Sequence, residues 1–445
     1  MSTPAKNLIN DLLPIELFDQ IFSHLTPAQQ FTAMTTCTHW FQILGHDRYR
    51  RRLLLNPTTL TDDLSPGDLH WMKQFRLIAI SDCGPFGGFP HLLTEFVDQE
   101  LRDHVEDLQF GLEWIDWEDF LRDSRWPALR TLTIEAPRME IPDAGEMRLI
   151  APNLRRIEVA DVTESVAELV QGFCDQLEEV CTVVRSMNDF EFIFGTKVFG
   201  RLRSVALKTS MWKDSEVWTD RDLTEANLKM FSGLRHLKVT DWEEKFKPVL
   251  PTILGQTTEL DTLTIKGCAI SCTSVRQISK MKNLRMLNLS CKVEETAPIS
   301  LPLLQKLTTC YGAVLPVEVV PNLNWIQIKS LTLRDTKVLP ETYFKTISEK
   351  LEVLQVEHAF LKDLMDQICT LINLNVLKFV EIKVTDSEIS RLLSTLKNLR
   401  TIQFEHCLLF KDRDSTKKED ILDWSKQLKH QHPNIAFAFT NCRYL

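Results

Sequence analysis

Apolar residues recur along most of the chain in one spacing: an apolar residue, two others, an apolar residue, one other and a third apolar residue. Two residues that lie two positions apart point to the same side of an extended strand, so each copy predicts a short strand with one buried side. The clear copies begin at Phe75, Val105, Leu129, Leu154, Leu202, Leu234, Leu260, Leu284, Leu323, Leu351, Leu374 and Leu399. Weaker copies begin at Leu177 and Leu304.

Helical patterns fill the segments between these strands. Thr385-Asp-Ser-Glu388 is a capping box that opens a run with apolar residues on one helical face. The segments 163–173 and 358–372 also carry apolar residues at helical spacing. The charged stretch 410–433 precedes a last strand at Ile435 to Phe439, which we expect to cap the array together with the tail that follows it.

The copies start about 19 to 32 residues apart, which is the period of leucine-rich repeats and their irregular relatives. One strand cannot bury its apolar side alone, whereas stacked strands with helices behind them bury a continuous core. The sequence therefore predicts an α/β leucine-rich-repeat solenoid with a parallel sheet on its concave side. The number of repeats depends on whether the two weaker copies, at Leu177 and Leu304, are counted.

A different pattern fills residues 11–44. Leu17, Ile21, Phe22 and Leu25 fall on one helical face, and Pro14 stands where the first turn of a helix tolerates proline. A second helix is predicted from about Ala28 to Thr35 and a third from Thr38 to about Leu55. A three-helix unit of this size buries little core by itself, so we expect a partner to cover its remaining apolar face.

The motif Leu13-Pro-x-Glu-Leu17, followed by Ile21-Phe-x-x-Leu25 and Cys37-x-x-Trp40, resembles an F-box. That helical module docks on the Skp-type adaptor of cullin–RING ubiquitin ligases. The resemblance implies that these residues would bind the adaptor, with the last in a supporting role: Leu13, Pro14, Leu17, Ile21, Phe22, Leu25 and Trp40. The chain departs from the pattern at Gln30 and Ala33, where the family usually has leucine, and at Thr36, where it usually has valine. An ordinary three-helix cap on a larger domain is the alternative.

Composition narrows the function classes. The chain has 445 residues, 44% of them hydrophobic, and a net charge of −9, which argues against a general nucleic-acid binder. It has no apolar run of about 18 residues, so we expect no membrane span. Its N-terminus lacks the apolar core of a signal peptide. We therefore expect a cytoplasmic or nuclear protein whose 11 cysteines are reduced.

Four cysteines follow the last apolar position of a strand by three residues: Cys83, Cys268, Cys407 and Cys442. This placement resembles the cysteine-containing repeats that accompany F-boxes, and a small apolar side chain suits a buried turn. Cys37 and His39 do not face each other on a helix, and His430 with His432 is typical of a solvated helix end. Because no catalytic or phosphate-binding motif is present, we expect no enzyme activity, cofactor or metal.

The middle repeats carry an excess of positive charge at positions expected on the concave side. The residues predicted to bind a target are Lys208, Lys238, Lys266, Lys306, Trp325 and Lys329, beside His236. Glu135, Glu158, Glu357 and Glu405 occupy such positions in the outer repeats. The pattern suggests an acidic or phosphorylated target segment with Trp325 as an apolar anchor. The alternative is an ordinary solvated sheet face on which lysine prevents aggregation.

Together the two modules predict a substrate-recognition subunit of a Skp–cullin–F-box ubiquitin ligase. The predicted boundaries are 8–55 for the F-box, 56–74 for a junction and 75–445 for the solenoid. The F-box would reach a cullin through the adaptor, and the solenoid would hold the target protein. Two alternatives are a repeat scaffold that works outside a ligase and an enzyme whose site leaves no motif.

Overall fold

The computed structural model describes Phe18, Ile21, Phe22, Ala33, Trp40, Ile43 and the segments 54–55, 77–80, 102–110, 125–135, 143–195, 197–209, 223, 228–290, 303–309, 329–334, 351–410 and 421–444. The chain divides into two compact units. The first comprises Met1–Val183 and Asn188–Leu202, and the second comprises Val184–Met187 and Arg203–Leu445.

The first unit contains short parallel strands that pair in chain order. They are β1 (Leu54–Leu55), β2 (Leu77–Ile80), β3 (Asp107–Phe110), β4 (Thr131–Ile134), β5 (Arg156–Val159) and β6 (Glu179–Val184). Its helices are α1 (Ala144–Ile150), α2 (Glu164–Gly172) and α3 (Met187–Phe194). Leu108, Leu132, Ile157 and Val180 are partners in register and all are fully buried, so each strand covers the apolar side of its neighbour.

The second unit repeats this arrangement with more strands. They are β7 (Ser204–Thr209), β8 (His236–Thr240), β9 (Thr262–Lys266), β10 (Met286–Ser290), β11 (Lys306–Thr309), β12 (Ser330–Arg334), β13 (Val353–Glu357), β14 (Val376–Val380), β16 (Thr401–Glu405) and β18 (Ala436–Thr440). They pair in this order and all are parallel.

A second, smaller parallel sheet lies beyond the last strands of this unit. It consists of β15 (Lys383–Thr385), β17 (Leu408–Phe410) and β19 (Arg443–Tyr444). The helices of the unit are α4 (Leu250–Gln256), α5 (Cys272–Ile278), α6 (Leu361–Ile368), α7 (Asp386–Thr395) and α8 (Ile421–Gln431), with a 3₁₀ turn at Met230–Gly233. The α/β architecture with a long parallel sheet is as predicted.

The chain leaves the later strands through residues with positive φ. His358, Glu381, His406 and Asn441 directly follow β13, β14, β16 and β18, with φ between 50° and 54°. The backbone N–H of His358 donates to Val380 O at 3.1 Å, and that of His406 donates to Thr440 O at 2.8 Å. With the bond from Glu381 N to Glu405 O at 2.9 Å, they extend the ladder by one residue beyond β13, β14 and β16, so these three N–H groups are paired.

The predicted capping box at the start of α7 is present. Thr385 Oγ1 accepts a hydrogen bond from Glu388 N at 3.3 Å, and Glu388 Oε2 accepts one from Thr385 N at 2.8 Å. We expect Thr385→Ala to lower the free energy of unfolding by about 1 kcal/mol, because the N–H of Glu388 in the first turn loses its acceptor. Urea unfolding would measure this loss. Thr385→Ser keeps the hydroxyl and should lower the free energy of unfolding by only a few tenths of the loss expected for Thr385→Ala. Equal losses for both variants would contradict the prediction.

Most predicted strands are confirmed, including the weaker copies at Leu177 and Leu304, which precede β6 and β11. The copy at Leu323 lies outside the described residues, and the strand that pairs with β11 and β13 is β12 at Ser330–Arg334. Ile328, Leu331 and Leu333 satisfy the same apolar spacing, so that stretch fits two registers. The third helix of the N-terminal segment, predicted to run from Thr38 to about Leu55, was predicted too long: Leu54 and Leu55 form a strand that pairs with β2.

Candidate protein-interaction surfaces

The described residues of the N-terminal segment form a small aromatic core. Phe18, Phe22, Ala33 and Ile43 are helical and buried. Trp40 packs edge-on against both rings, with centroid distances of 6.3 Å to Phe18 and 5.4 Å to Phe22. This cluster holds together residues from separate parts of the segment, as a small helical module requires.

Ile21 lies outside this core and is 49% exposed, whereas its neighbour Phe22 is 2% exposed. The sequence placed both residues on one adaptor-binding face. The structure gives them different surroundings: Phe22 supports the core, whereas Ile21 presents an apolar side chain to solvent. Of the other predicted adaptor contacts, Leu13, Pro14, Leu17 and Leu25 lie outside the described residues, and Trp40 is half-buried in support of the core.

The sheet of the second unit has one side whose residues alternate with the buried ones, and we call this side the open face. On β7 to β11 its described positions are Ser204, Ala206, Lys208, His236, Lys238, Thr240, Thr262, Thr264, Lys266, Met286, Asn288 and Lys306. These positions include four lysines and no carboxylate. Lys238 and Lys306 are exposed, and Lys208 and Lys266 are half-buried.

The register places three of these lysines close together. Lys208 on β7 and Lys266 on β9 are both partners of Thr240 on the strand between them, and Lys238 stands two residues before Thr240. Neighbouring strands lie about 4.8 Å apart, so the three ammonium groups project from one small area. Within the described residues, Lys238, Lys266 and Lys306 form no ion pair.

The remaining predicted contacts fall elsewhere. Lys329 directly precedes β12 instead of standing on the open face, and its Nζ lies 3.2 Å from Glu352 Oε1. The sequence placed Lys329 beside a strand at Leu323, whereas the described strand next to Lys329 begins at Ser330. Trp325 lies outside the described residues.

Acidic residues occupy the open positions farther along the second unit. Glu357 and Glu405 end β13 and β16, and Lys378 Nζ is paired with Glu405 Oε2 at 2.6 Å. In the first unit, Arg156 lies 3.2 Å from Glu158 and 3.4 Å from Glu179. Burial raises the pKa of the nearby Asp107 carboxyl. Arg156 and Lys378 are therefore paired, whereas Lys238, Lys266 and Lys306 form no ion pair with a described residue.

An exposed tryptophan that the sequence reasoning missed stands beside the lysines. Trp242 follows the end of β8 and is 53% exposed. Its ring lies against the backbone of Gly267, where an added Cβ would come within 3.0 Å of Trp242 Cδ2. Gly267 directly follows Lys266 and has φ of 87°, so glycine serves both the turn and the close approach of the ring.

A buried carboxylate fixes the loop that carries Trp242. Asp241 is fully buried, and its Oδ2 accepts a hydrogen bond from Phe246 N at 2.6 Å. Its Oδ1 accepts from Glu243 N at 3.2 Å and from Thr209 Oγ1 at 3.1 Å. Because the loop closes on one anion and buries Phe246, the backbone position of Trp242 is set before any partner binds.

The cysteines at the strand ends are structural. Cys268 and Cys407 are buried, and burial raises the pKa of the Cys268 thiol to about 12 and that of the Cys407 thiol to about 11. Such thiols are poor nucleophiles and poor metal ligands. Cys442 is half-buried, and Cys83 lies outside the described residues. Over the described part of the chain, no group of three or more His, Cys, Asp or Glu side chains could hold a metal ion.

The repeat geometry defines the class: the chain contains a leucine-rich-repeat solenoid of parallel strands with helices behind them. A family model described as F-box-like matches residues 11–56, so an F-box-like domain precedes the repeats. A search of curated proteins gives no match. No described helix is both long and apolar enough to cross a membrane.

Solved structures similar to this chain include an internalin from Listeria monocytogenes, at 15% identity and a TM-score of 0.38, over 69% of this chain and 86% of that one. The mouse RP105/MD-1 complex is similar at 11% identity and a TM-score of 0.37, over 87% of this chain and 83% of that one.

Proposed function

We propose that this protein is the substrate-recognition subunit of a Skp–cullin–F-box ubiquitin ligase, acting in the cytoplasm or nucleus. The F-box-like segment would bind the Skp-type adaptor, and through it a cullin, while the repeats would bind the target protein. The observation that carries the proposal is the F-box-like match at residues 11–56, with Ile21 exposed beside the buried Phe18 and Phe22 and the half-buried Trp40. An exposed isoleucine next to a small aromatic core is suited to cover by a partner.

In this function the protein itself is not catalytic and needs no cofactor. A solenoid that holds the target in one place raises the concentration of its lysines near the ubiquitin-charged enzyme, so positioning supplies the rate enhancement. The target contacts proposed for this role are the open-face lysines Lys208, Lys238, Lys266 and Lys306, with Trp325 and Lys329 as the further members of the predicted set.

Co-purification of the full chain with the Skp-type adaptor tests the proposal. We expect stoichiometric capture by the native sequence and loss of capture by the variant with Leu13→Ala, Pro14→Ala and Leu17→Ala. The matched control is Phe360→Ala with Ile372→Ala, since these side chains are 66% and 58% exposed in the second unit and their removal should leave capture unchanged.

Circular dichroism of each variant would show whether the repeats remain folded. Failure of the native chain to capture the adaptor, with the repeats folded, would overturn the proposal. The protein would then be a repeat scaffold that binds other proteins outside a ligase. The residues that depart from the F-box pattern, Gln30, Ala33 and Thr36, would be the first to test as the cause of the lost adaptor binding.

A further inference from the structure

We propose that Trp242, together with Lys208, Lys238, Lys266 and Lys306, binds an extended, carboxylate-rich peptide segment that places an apolar side chain on the indole ring. The role of that segment as part of a ligase target rests on the proposed function. The binding itself rests on the juxtaposition of the exposed Trp242 with Lys238 and Lys266, which stand on the neighbouring strands β8 and β9 and form no ion pair with a described residue.

Charge complementarity identifies the partner as an anion. The described open-face positions from β7 to β11 carry four lysines and no carboxylate, in a protein whose net charge is −9. Elsewhere on the same face the cation Lys378 is neutralised by Glu405 at 2.6 Å. Solvation alone would not require lysines to be gathered in one stretch where Lys238, Lys266 and Lys306 form no ion pair with any described residue.

The loop that carries Trp242 does not cancel this charge. Its two partly exposed carboxylates have partners within the loop: Glu243 lies 2.9 Å from Lys245 Nζ, and Glu244 lies 3.2 Å from Lys247 Nζ. The third carboxylate, Asp241, is buried and bound by three hydrogen-bond donors. Among the described residues, the loop and the four open-face lysines together carry six ammonium groups against three carboxylates, so this described part of the surface has a net positive charge.

The spacing of the lysines favours several carboxylates over one phosphate. A single phosphate is bound by donors that converge on one point, usually including arginine. Here Lys208, Lys238, Lys266 and Lys306 stand on β7, β8, β9 and β11, and neighbouring strands are about 4.8 Å apart. An extended peptide carries side chains on one side about every 7 Å, which matches charges spread over several strands.

Trp242 supplies the apolar half of the site. Tryptophan is the residue most often responsible for a large share of binding energy, because its ring gives a large contact area at low entropic cost. The Asp241-centred loop and the backbone of Gly267 already hold the ring, so little further ordering is needed on binding.

Fluorescence anisotropy with defined probes tests this surface on the full chain in complex with the Skp-type adaptor, or on the full chain alone if no complex forms. The probe is a fluorescein-labelled peptide of repeated Glu-Phe-Glu-Gly. Matched peptides replace every glutamate by glutamine or every phenylalanine by glycine, and labelled oligouridylate is the nucleic-acid comparison. We expect the Glu-Phe peptide to bind most tightly and its affinity to fall as salt is raised.

The variants separate the two halves of the site. Trp242→Ala should weaken binding of the Glu-Phe peptide about ten-fold, and Trp242→Phe should retain most of it. The combination Lys238→Glu, Lys266→Glu and Lys306→Glu should weaken it at least about ten-fold. The control for Trp242→Ala is Phe360→Ala, which removes an exposed aromatic side chain elsewhere. The control for the triple charge reversal is Lys280→Glu, Lys362→Glu and Lys397→Glu, which changes the net charge equally but away from the open face. Both should stay within about two-fold of the native chain.

Equal losses in the charge-reversal set and its control, or unchanged binding by Trp242→Ala, would overturn the proposed surface. So would absence of peptide binding by the native chain, or tighter binding of oligouridylate, which would identify a nucleic-acid surface instead. Adaptor capture is measured on the same preparations. Lost capture with peptide binding intact counts against the ligase function alone, and the reverse result counts against this surface alone.

Discussion

Phe404→Ala is expected to lower the free energy of unfolding by about 3–5 kcal/mol, because it removes the centre of an aromatic cluster at the end of the second unit. The Phe404 ring lies 5.6 Å from Phe379, 5.0 Å from Phe439 and 6.2 Å from Trp424, centroid to centroid. Phe404 and Phe379 are at most 1% exposed, and Trp424 of α8 is 5% exposed. The resulting cavity would lie between β16 and α8 and could close only by moving the last strand.

Hydrogen exchange of the Phe404→Ala variant would show which strands and helices lose stability, as well as how much stability is lost. In a repeat array each repeat contacts its neighbours, so the terminal repeat should open first. We expect faster exchange in β14, β16, β18 and α8 of the Phe404→Ala variant and unchanged exchange in β8 and β9. Phe360→Ala removes the same side chain at a position that is 66% exposed, so its cost should stay within about 0.5 kcal/mol. Uniformly faster exchange would mean that the unit unfolds as one block.

The strands were predictable because their apolar spacing is a local property of the chain. Leu237, Leu263 and Leu354 are partners of equivalent residues on the next strands and are at most 1% exposed, as the spacing requires. In one stretch, residues 323–333, the spacing fits twice. Starting at Leu323 leaves an interval of 28 residues to Leu351, whereas starting at Ile328 leaves 23, which agrees better with the neighbouring repeats.

The candidate surface was predictable only in part. Lys208, Lys238, Lys266 and Lys306 follow from the strand pattern, because alternation alone decides which side they face. Trp242 lies beyond the strand, and its exposure depends on a loop held by a buried carboxylate. Nothing in the local sequence distinguishes the buried Asp241 from the exposed Glu244. The small sheet of β15, β17 and β19 was missed for a different reason: its strands have only two or three residues, which is too short to show an apolar period.

Asp241→Ala is expected to lower the free energy of unfolding by about 3 kcal/mol. The substitution removes the acceptor for Phe246 N, Glu243 N and Thr209 Oγ1, and buried donors that lose their acceptor retain the cost of desolvation. Asp241→Asn keeps one carbonyl oxygen but turns an amide NH₂ toward donors, so we expect a smaller loss of about 1–2 kcal/mol. Urea unfolding of the three proteins would give this order, and an alanine variant as stable as the native chain would contradict it.

The same variant separates the stability of the loop from the function of the surface it supports. Trp242 is 53% exposed, so Trp242→Ala should weaken binding of the Glu-Phe peptide while changing the free energy of unfolding by less than about 1 kcal/mol. Asp241→Ala should weaken both, because the ring loses its fixed position against Gly267, the residue that follows Lys266. Thr209→Val removes only one of the three donors to Asp241, so it is the matched control and should leave peptide binding close to native. If Asp241→Ala were destabilised yet bound the peptide normally, the preset position of the ring would not contribute to recognition, and the lysines alone would have to account for it.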